Sequence, residues 1–208
     1  MEQTINRLKI EKQLWSEGYQ KVMGLDEVGR GCLAGPVVAA GVIFKPGTNI
    51  KEIRDSKMLT HTEREELSEI IKEKAIFWAI KEGSIEEVNR LNILWASIET
   101  MVECVAAAKS PPDYLLVDGN RYTTSLIPYT CMIGGDDRSM SIGAASILAK
   151  VYRDEYMRKL HNEFPEFGWN SNVGYPTPVH RKALKKHGFT HYHRSTFRLG
   201  TTKKYSKV

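Results

Sequence analysis

Apolar residues follow a helical spacing in some parts of the chain and form short, continuous runs in others. Residues 4–20 have the helical spacing, and two runs that suit buried strands follow at residues 22–27 and 37–44. The second run is apolar at successive positions, so both faces of that strand are expected to be buried in the middle of a sheet. The pattern predicts helices packed against a sheet in which residues 37–44 form an interior strand.

Capping signals divide the rest of the chain into further elements. Thr60 and Ser84 each precede a glutamate by three residues, which predicts two helix starts. The first helix is expected to end near residue 74, before a strand at 75–81, and the second to continue to residue 109. Further strands are predicted at 114–118 and 129–133, with helices at 140–164 and 177–187. We interpret residues 1–208 as one mixed α/β domain with about five strands.

Positive charge is concentrated towards the end of the chain. Residues 167–208 contain nine Lys or Arg and no Asp or Glu, although the net charge of the whole chain is only +5. Aromatic residues such as Trp169, Tyr175 and Phe197 lie between these cations. This combination indicates an anionic partner that also offers flat surfaces for stacking. A solvated tail that aids solubility is the alternative.

Apolar run lengths and cysteine spacing argue against several other classes of protein. The longest nearly apolar run, residues 32–44, is too short to span a bilayer, and the charged N-terminal residues lack the apolar core of a signal peptide. Three cysteines without paired spacing argue against disulfides and a zinc site. A reduced, cytoplasmic protein is the default expectation.

Carboxylates stand at or just beyond the ends of three predicted strands. Asp26 and Glu27 end the first strand, Asp118 ends a later one, and Asp136 and Asp137 follow the last one. Ligands of open α/β sheets gather beyond strand ends. Two carboxylates about 4 Å apart repel each other by roughly 4 kcal/mol at an effective dielectric near 20, so a cluster of them needs a cation. Oxygen ligands without His or Cys favour Mg²⁺ or Mn²⁺.

Each acidic position also has a simpler interpretation. An Asp-Gly pair after a strand, such as Asp118-Gly119, is most often only a turn. Neighbouring strand residues point to opposite faces, so Asp26 and Glu27 can serve one metal centre only if the strand bends or if one acts through its carbonyl or through water. The spacing alone therefore leaves both a metal centre and solvent-facing acids open.

The segment Gly29-Arg30-Gly31 follows the first acidic pair. Glycines permit positive φ and close approach of the backbone to a ligand, and they expose amide N–H groups. This turn could bring main-chain groups against a sugar hydroxyl or a phosphate, or it could be only a turn.

Seven motifs occur in order between about residue 20 and about residue 198. They are DEVGRGCLAGPVVAA from Asp26, DSKML from Asp55, LLVDGN around Asp118, GGDD at residues 134–137, IGAASILAKVYRDE from Ile142, GYPT from Gly174 and HRSTF from His193. This series resembles the ribonuclease HII family, the type 2 ribonucleases H. The resemblance implies a ribonuclease H-like fold with a helical, basic C-terminal segment.

The same resemblance implies an activity and its cofactors. Members hydrolyse RNA within RNA–DNA hybrids and incise on the 5′ side of single ribonucleotides embedded in duplex DNA, with Mg²⁺ or Mn²⁺. We therefore expect 3′-hydroxyl and 5′-phosphate ends and two ions when substrate is bound. We also expect a monomer.

Site residues carry over from the family motifs to matching positions. The catalytic and metal-binding set would be Asp26, Glu27, Asp118 and Asp136. The ribose 2′-hydroxyl would be read by Gly29, Arg30 and Gly31. Tyr175 would stack at the RNA–DNA junction, Lys57 would contact a phosphate, and the basic segment 167–208 would hold duplex phosphates.

Several positions depart from the family pattern. Gly134 stands where members usually have a lysine, and Asp137 adjoins Asp136 and could be confused with it. The chain ends at Val208 without the longer helical extension of some members. No additional N-terminal substrate-binding domain is expected, which argues against the sister group ribonuclease HIII.

Other residues support smaller expectations. Lys150 and Asp154 are one helical turn apart, and either support the acidic pocket or form an exposed ion pair. Residues 143–146 are expected to be a close-packed helix face. The four histidines after residue 167 have poor spacing for zinc, so structural or phosphate-binding roles are favoured: His180, His187, His191 and His193.

Two other classes of function stay open from the sequence. One is a nucleic-acid-binding protein that keeps the fold without catalysis, and the complete set of acids argues against it. The other is a related two-metal nuclease, such as a DNA-processing resolvase.

Overall fold

A mixed five-stranded sheet forms the centre of the computed structural model, which describes residues 7–53 and 59–197. In chain order the strands are β1 (Val22–Val28), β2 (Val37–Phe44), β3 (Ala75–Gly83), β4 (Tyr114–Asp118) and β5 (Tyr129–Met132). Their order across the sheet is β3-β2-β1-β4-β5. The β1–β2 and β2–β3 pairs are antiparallel, whereas β4 is parallel to both β1 and β5. The expected mixed α/β class with five strands is confirmed.

Helices flank this sheet and follow its last strand. They are α1 (Lys9–Ser16), α2 (His61–Lys74), α3 (Ile85–Leu91), α4 (Ile93–Ala106), α5 (Met140–Glu163), α6 (Trp169–Asn172) and α7 (Pro178–His187). Two 3₁₀ turns, Gly135–Asp137 and Pro165–Phe167, bracket α5. In the part of the chain that the structure describes, no helix has the length and apolarity needed to cross a membrane.

Local capping explains where α2 and α3 begin, and one break was not expected. Thr60 and Ser84 each form a complete capping box with the glutamate three residues later. The single helix expected to run to residue 109 is wrong, because Asn92 adopts φ 67° and separates α3 from α4. Its side-chain oxygen accepts the N–H groups of Leu94 and Trp95, so it caps the second helix. Asparagine tolerates this left-handed backbone better than most residues do.

The sheet is covered on both faces near its middle. All eight residues of β2 are buried, and β2 pairs with β3 on one side and β1 on the other, which confirms the expected interior strand. Helix α5 packs across β1 and β2, and it approaches so closely that a Cβ atom on Gly24 would lie 2.1 Å from the backbone of Ser141. On the opposite face, Met23 and Leu25 pack with residues of α4. The alternation along β1 therefore decides which side chains face α5.

The described part of the basic C-terminal segment is folded onto the domain. Phe167, Trp169 and Leu184 form a buried cluster with Leu33, from the loop between β1 and β2, and with Met157 of α5. This packing contradicts the alternative of a solvated tail for residues 167–197.

Candidate active site at the carboxyl ends of the parallel strands

Asp26 and Asp118 lie side by side where two parallel strands end. The β1–β4 register pairs Leu25 with Val117, so the next residues along the two strands are Asp26 and Asp118. Two residues earlier, Gly24 and Leu116 face α5, where they meet Ser141 and Ile142. Because side chains alternate along a strand, both aspartates are on the α5 face of the sheet.

Burial and neighbouring charge act together on Asp26. Its side chain is only 7% exposed. Burial raises the pKa of the Asp26 carboxyl well above its ordinary value, and the negative charges of Glu27 and Asp118 raise it further. The Ser146 hydroxyl forms a hydrogen bond with the Asp26 carboxylate, and the N–H of Glu27 donates to its Oδ1 at 2.7 Å. Both hydrogen bonds favour the ionised form of Asp26. The site thus concentrates negative charge that a cation would stabilise.

Glu27 joins this group of charges from the next position of the strand. The pairing of β1 with β2 is regular through Val28, so the strand bend that the sequence suggested as one solution is not present. Burial raises the pKa of Glu27, and the ion pair with Arg30 opposes this rise. Arg30 Nη1 lies 2.9 Å from Oε1 of Glu27. Arg30 therefore forms an ion pair with Glu27, the second acid of the site.

Asp136 lies in a turn, rather than a strand, and the residue before it contacts Asp118. It is buried in the 3₁₀ turn between β5 and α5, and the N–H of the preceding residue, Gly135, donates to Oδ1 of Asp118 at 2.7 Å. Its neighbour Asp137 is bound elsewhere, because the Arg7 guanidinium donates to its carboxylate at 2.8 Å and to its carbonyl oxygen at 2.9 Å. The bonds to Arg7 thus distinguish Asp137 from Asp136. The Arg7 guanidinium also supplies a positive charge at this turn, although Gly134 stands where family members usually have a lysine.

The donor chemistry of the acidic set fits a hard divalent cation. Within residues 7–53 and 59–197, no three His, Cys, Asp or Glu side chains are arranged to hold a metal ion together. The carboxylates of Asp26, Glu27 and Asp118 nevertheless interact, and their mutual repulsion is what a Mg²⁺ or Mn²⁺ ion would offset.

The Gly29–Gly31 turn faces the side chain that the GYPT motif provides. Gly29 has φ +93°, and a Cβ atom there would lie 2.3 Å from Nε of Arg153. Gly31 does not have a positive φ, so its conformation does not require glycine. A Cβ atom on Gly31 would instead lie 3.7 Å from Cε1 of Tyr175, whose side chain is 39% exposed. Gly31 and Tyr175 thus lie side by side, and we call the surface that they share the nucleotide slot, after the role that we propose for it.

One ridge of α5 lies behind the site. Lys150 Nζ is 2.6 Å from Oδ1 of Asp154, and Asp154 is buried, so the alternative of an exposed ion pair is wrong. Burial raises the pKa of Tyr175, and the negative charge of Asp154 raises it further. Burial also raises the pKa of Cys32, which the positive charge of Lys150 opposes, so the charges of this pair act on the residues around the slot.

Ser146, one turn before Lys150 on the same ridge, was missed as a site residue. The sequence placed it in a close-packed helix face, a description that suits Gly143 but omits the Ser146 hydrogen bond to Asp26. The signal available in the sequence was its i, i+4, i+8 spacing with Lys150 and Asp154.

Three further expectations concern Lys57, the cysteines and the C-terminal histidines. Lys57 and its DSKML motif fall largely outside the described residues, so the expectation about Lys57 stays a prediction. The cysteines are free, in accordance with the expectation of no disulfide. Two of the four C-terminal histidines, His180 and His193, meet at 3.1 Å between their Nε2 atoms inside the buried cluster around Trp169.

Known proteins share this fold and much of the sequence. The family model for ribonuclease HII matches residues 23–200. Ribonuclease HII of Salinibacter ruber is 47% identical over 196 residues, which are 92% of this chain and 98% of the relative. The crystal structure of ribonuclease H2 from Pyrococcus horikoshii has a TM-score of 0.73 at 25% identity and covers 86% of this chain and 94% of its own.

A more distant structure shares the fold alone. Bst ribonuclease HIII, solved in complex with Mn²⁺, has a TM-score of 0.64 at 19% identity and covers 88% of this chain and 68% of its own. The fold is therefore ribonuclease H-like. From the family match and the identity to curated relatives, the chain belongs to the ribonuclease HII family and is an endoribonuclease.

Proposed function

We propose that this chain hydrolyses RNA in RNA–DNA hybrids and incises duplex DNA on the 5′ side of single embedded ribonucleotides, leaving 3′-hydroxyl and 5′-phosphate ends. The observation that carries the proposal is the adjacency of the acidic set to the nucleotide slot. Glu27 is bound by Arg30, and Arg30 lies between Gly29 and the slot residue Gly31. One nucleotide can therefore be held in the slot while its phosphodiester reaches the carboxylates.

Asp26, Glu27, Asp118 and Asp136 are the residues that would hold Mg²⁺ or Mn²⁺, with two ions when substrate is bound. Such ions stabilise charge on phosphoryl oxygens and make water a better nucleophile. A Mn²⁺ complex of the fold relative ribonuclease HIII supports this choice of metal. Ser146 orients the Asp26 carboxylate and favours its ionised form through a hydrogen bond.

Selection of RNA over DNA is assigned to the nucleotide slot. The 2′-hydroxyl is the group that distinguishes a ribonucleotide from a deoxyribonucleotide. Main-chain groups of Gly29, Arg30 and Gly31 would bond this hydroxyl, since the absence of a Cβ atom on Gly31 leaves the side facing Tyr175 open. The exposed ring of Tyr175 would stack on the sugar or base at the junction.

Affinity for the duplex is assigned to the basic segment 167–208 and to Lys57. Cations that contact phosphates fix the register of a duplex without reading its sequence. We propose that residues 1–208 act as one monomeric catalytic domain. In it, this segment binds the duplex, and the carboxylates at the ends of the β-strands catalyse its hydrolysis.

An end-labelled duplex with one ribonucleotide tests the function. Incubation with Mg²⁺ or Mn²⁺ is expected to give one nick 5′ of the ribonucleotide, whereas EDTA and an all-DNA duplex of the same sequence are expected to give none. Binding without cutting would support a catalytically silent module. Cutting of all-DNA junctions would support a resolvase instead.

A further inference from the structure

The HRSTF motif places two buried residues against the loop between β1 and β2. His193 and Arg194 are 4% and 1% exposed. The N–H of Arg194 donates to the carbonyl of Leu33 at 2.8 Å, and that of Gly35 donates to the carbonyl of Tyr192 at 2.9 Å. The C-terminal segment is therefore hydrogen-bonded to the chain that leads away from the Gly29–Gly31 turn.

Arg194 holds this turn from the protein interior. Its guanidinium donates to the carbonyl oxygens of Gly29 at 2.7 Å, Gly35 at 2.9 Å and Arg30 at 3.3 Å. In the described part of the chain these main-chain acceptors are its hydrogen-bond partners, and Nη2 has none. A second buried arginine, Arg153, donates to the carbonyls of Ala34, Pro36 and Val173.

Two buried guanidinium groups bound to carbonyls are poorly explained by stability alone. Moving a charge out of water is costly unless an opposite charge or a complete set of hydrogen bonds compensates it. Burial, together with the like charge of Arg153, lowers the pKa of Arg194 to about 10. The guanidinium carbon lies 5.2 Å from the centre of the Phe197 ring, but Nη2 has no hydrogen-bond partner. What the arrangement does provide is a fixed position for the carbonyls of Gly29 and Arg30.

His193 is connected to the other wall of the slot through His180. Trp169 Nε1–H donates to Nε2 of His180 at 3.2 Å, so the proton of neutral His180 is on Nδ1, which donates to the carbonyl of Tyr175 at 2.9 Å. The N–H of Thr190 donates to Nδ1 of His193 at 3.0 Å, which places the His193 proton on Nε2, facing His180. Nε2 of His180 is then an acceptor shared by the N–H groups of Trp169 and His193. The chain of bonds runs in one direction, from Thr190 to Tyr175.

We propose that His193 and Arg194 are positioning residues that set the width of the nucleotide slot. Arg194 fixes the Gly29–Gly31 turn, and His193 fixes Tyr175 through His180, so consecutive residues of one segment hold both walls. The inference rests on the proposed function of the slot. Catalytic sites need their groups held within about 0.5 Å, which two adjacent backbone-anchored side chains can achieve.

Conservative variants separate positioning from folding. Arg194→Lys keeps the charge but cannot bond three carbonyls at once. His193→Asn can still accept from Thr190 but loses the bond to His180, whereas His193→Gln can reach His180. Arg158→Lys is the matched control, because Arg158 lies on α5 and approaches Glu65 of α2, away from the slot.

Hydrogen exchange of the free protein is the first measurement. Arg194→Lys is expected to accelerate exchange of the Leu33 and Gly35 amides, and Arg158→Lys to leave it unchanged. Unchanged exchange in Arg194→Lys would overturn the proposal. Because this measurement needs no substrate, its outcome does not depend on cleavage of a ribonucleotide-containing duplex. Failure of the wild type to cut that duplex would refute only the proposed function.

Kinetics on the single-ribonucleotide duplex are the second measurement. Arg194→Lys and His193→Asn are expected to lower kcat/KM by about tenfold or more, since small displacements of positioned groups have effects of this size. Affinity of both variants for the all-DNA duplex should stay within about twofold of the wild-type value. His193→Gln should recover part of the kcat/KM that His193→Asn loses, although the two variants have the same Tm. Equal losses in cleavage and in all-DNA binding would show that the two residues only support the fold.

Discussion

Alanine at Gly31 and alanine at Gly29 are expected to have different consequences. At Gly31 the added methyl would meet Cε1 of Tyr175 at 3.7 Å, an ordinary contact, and the backbone has no positive φ. We expect the stability of Gly31→Ala to stay within about 0.5 kcal/mol of the wild type. The methyl would nevertheless occupy the nucleotide slot, where the sugar of the ribonucleotide is proposed to lie.

Loss of one hydrogen bond to the 2′-hydroxyl sets the size of the effect. A buried polar group that loses its partner costs about 1–3 kcal/mol, which corresponds to a reduction of roughly 5- to 150-fold in kcat/KM. Affinity for an all-DNA duplex should change little, because phosphate contacts supply it. The assay is the cleavage rate and binding constant on matched duplexes with and without one ribonucleotide.

Gly29→Ala should instead damage the fold. A φ of +93° costs an L-residue about 1–2 kcal/mol, and displacing Arg153 from 2.3 Å adds about 1–3 kcal/mol. For a chain of this size, the sum corresponds to a fall in Tm of roughly 5–15 °C. Gly47→Ala is the matched control, since Gly47 has φ +88° with nothing within 4 Å of an added Cβ atom.

Two results would refute this reasoning, one for each glycine. If Gly31→Ala cuts the ribonucleotide duplex at the wild-type rate and does not cut the all-DNA duplex, the Gly29–Gly31 turn does not recognise the 2′-hydroxyl. If Gly29→Ala and Gly47→Ala lose equal stability, the contact with Arg153 has no energetic importance.

Three further predictions concern the metal site, the stacking ring and the buried histidines. Asp26→Asn keeps the shape but removes one charge from the site, so cleavage with Mg²⁺ should fall by orders of magnitude while duplex affinity is retained; unchanged turnover would exclude Asp26 from the mechanism. Tyr175→Phe keeps the ring and should lose less activity than Tyr175→Ala, measured as kcat/KM; equal losses would argue against stacking. Burial lowers the pKa of His193 to about 3, so the unfolded chain takes up a proton near pH 6.5 that the folded protein does not. Stability should therefore fall as the pH decreases from about 6.5, by up to about 2 kcal/mol at pH 5 from this group; equal pH dependence in denaturant titrations of wild type and His193→Asn would contradict it.

Local sequence signals were sufficient for most secondary structure. The capping boxes at Thr60 and Ser84 act within four residues, and the apolar run of β2 follows from burial on both faces. The break at Asn92 was not predicted, because the helical apolar pattern continues on both sides of it. A single residue in a left-handed conformation leaves no trace in that periodicity.

Strand-end acids were predictable as a set, but their individual environments were not. Asp26 and Asp118 stand at the ends of recognisable strands, and the family resemblance named Asp136 in addition. Which face each acid occupies depends on the register of β1 with β4, and a register joins residues about ninety positions apart. The same holds for the Ser146 hydrogen bond to Asp26 and for the separation of Asp137 by Arg7.

The sequence by itself determined the fold class and the family and provided the candidate acids, because periodicity, caps and ordered motifs are properties of the chain read in one direction. Tertiary structure alone decided that Gly31 faces Tyr175, that Arg194 bonds the carbonyl of Gly29, and that His180 and His193 share a hydrogen bond. A guanidinium bound to carbonyls has no sequence signature, since every residue supplies the same acceptor. Its partners are therefore fixed only when packing of the C-terminal segment against the β1–β2 loop brings them within hydrogen-bonding distance.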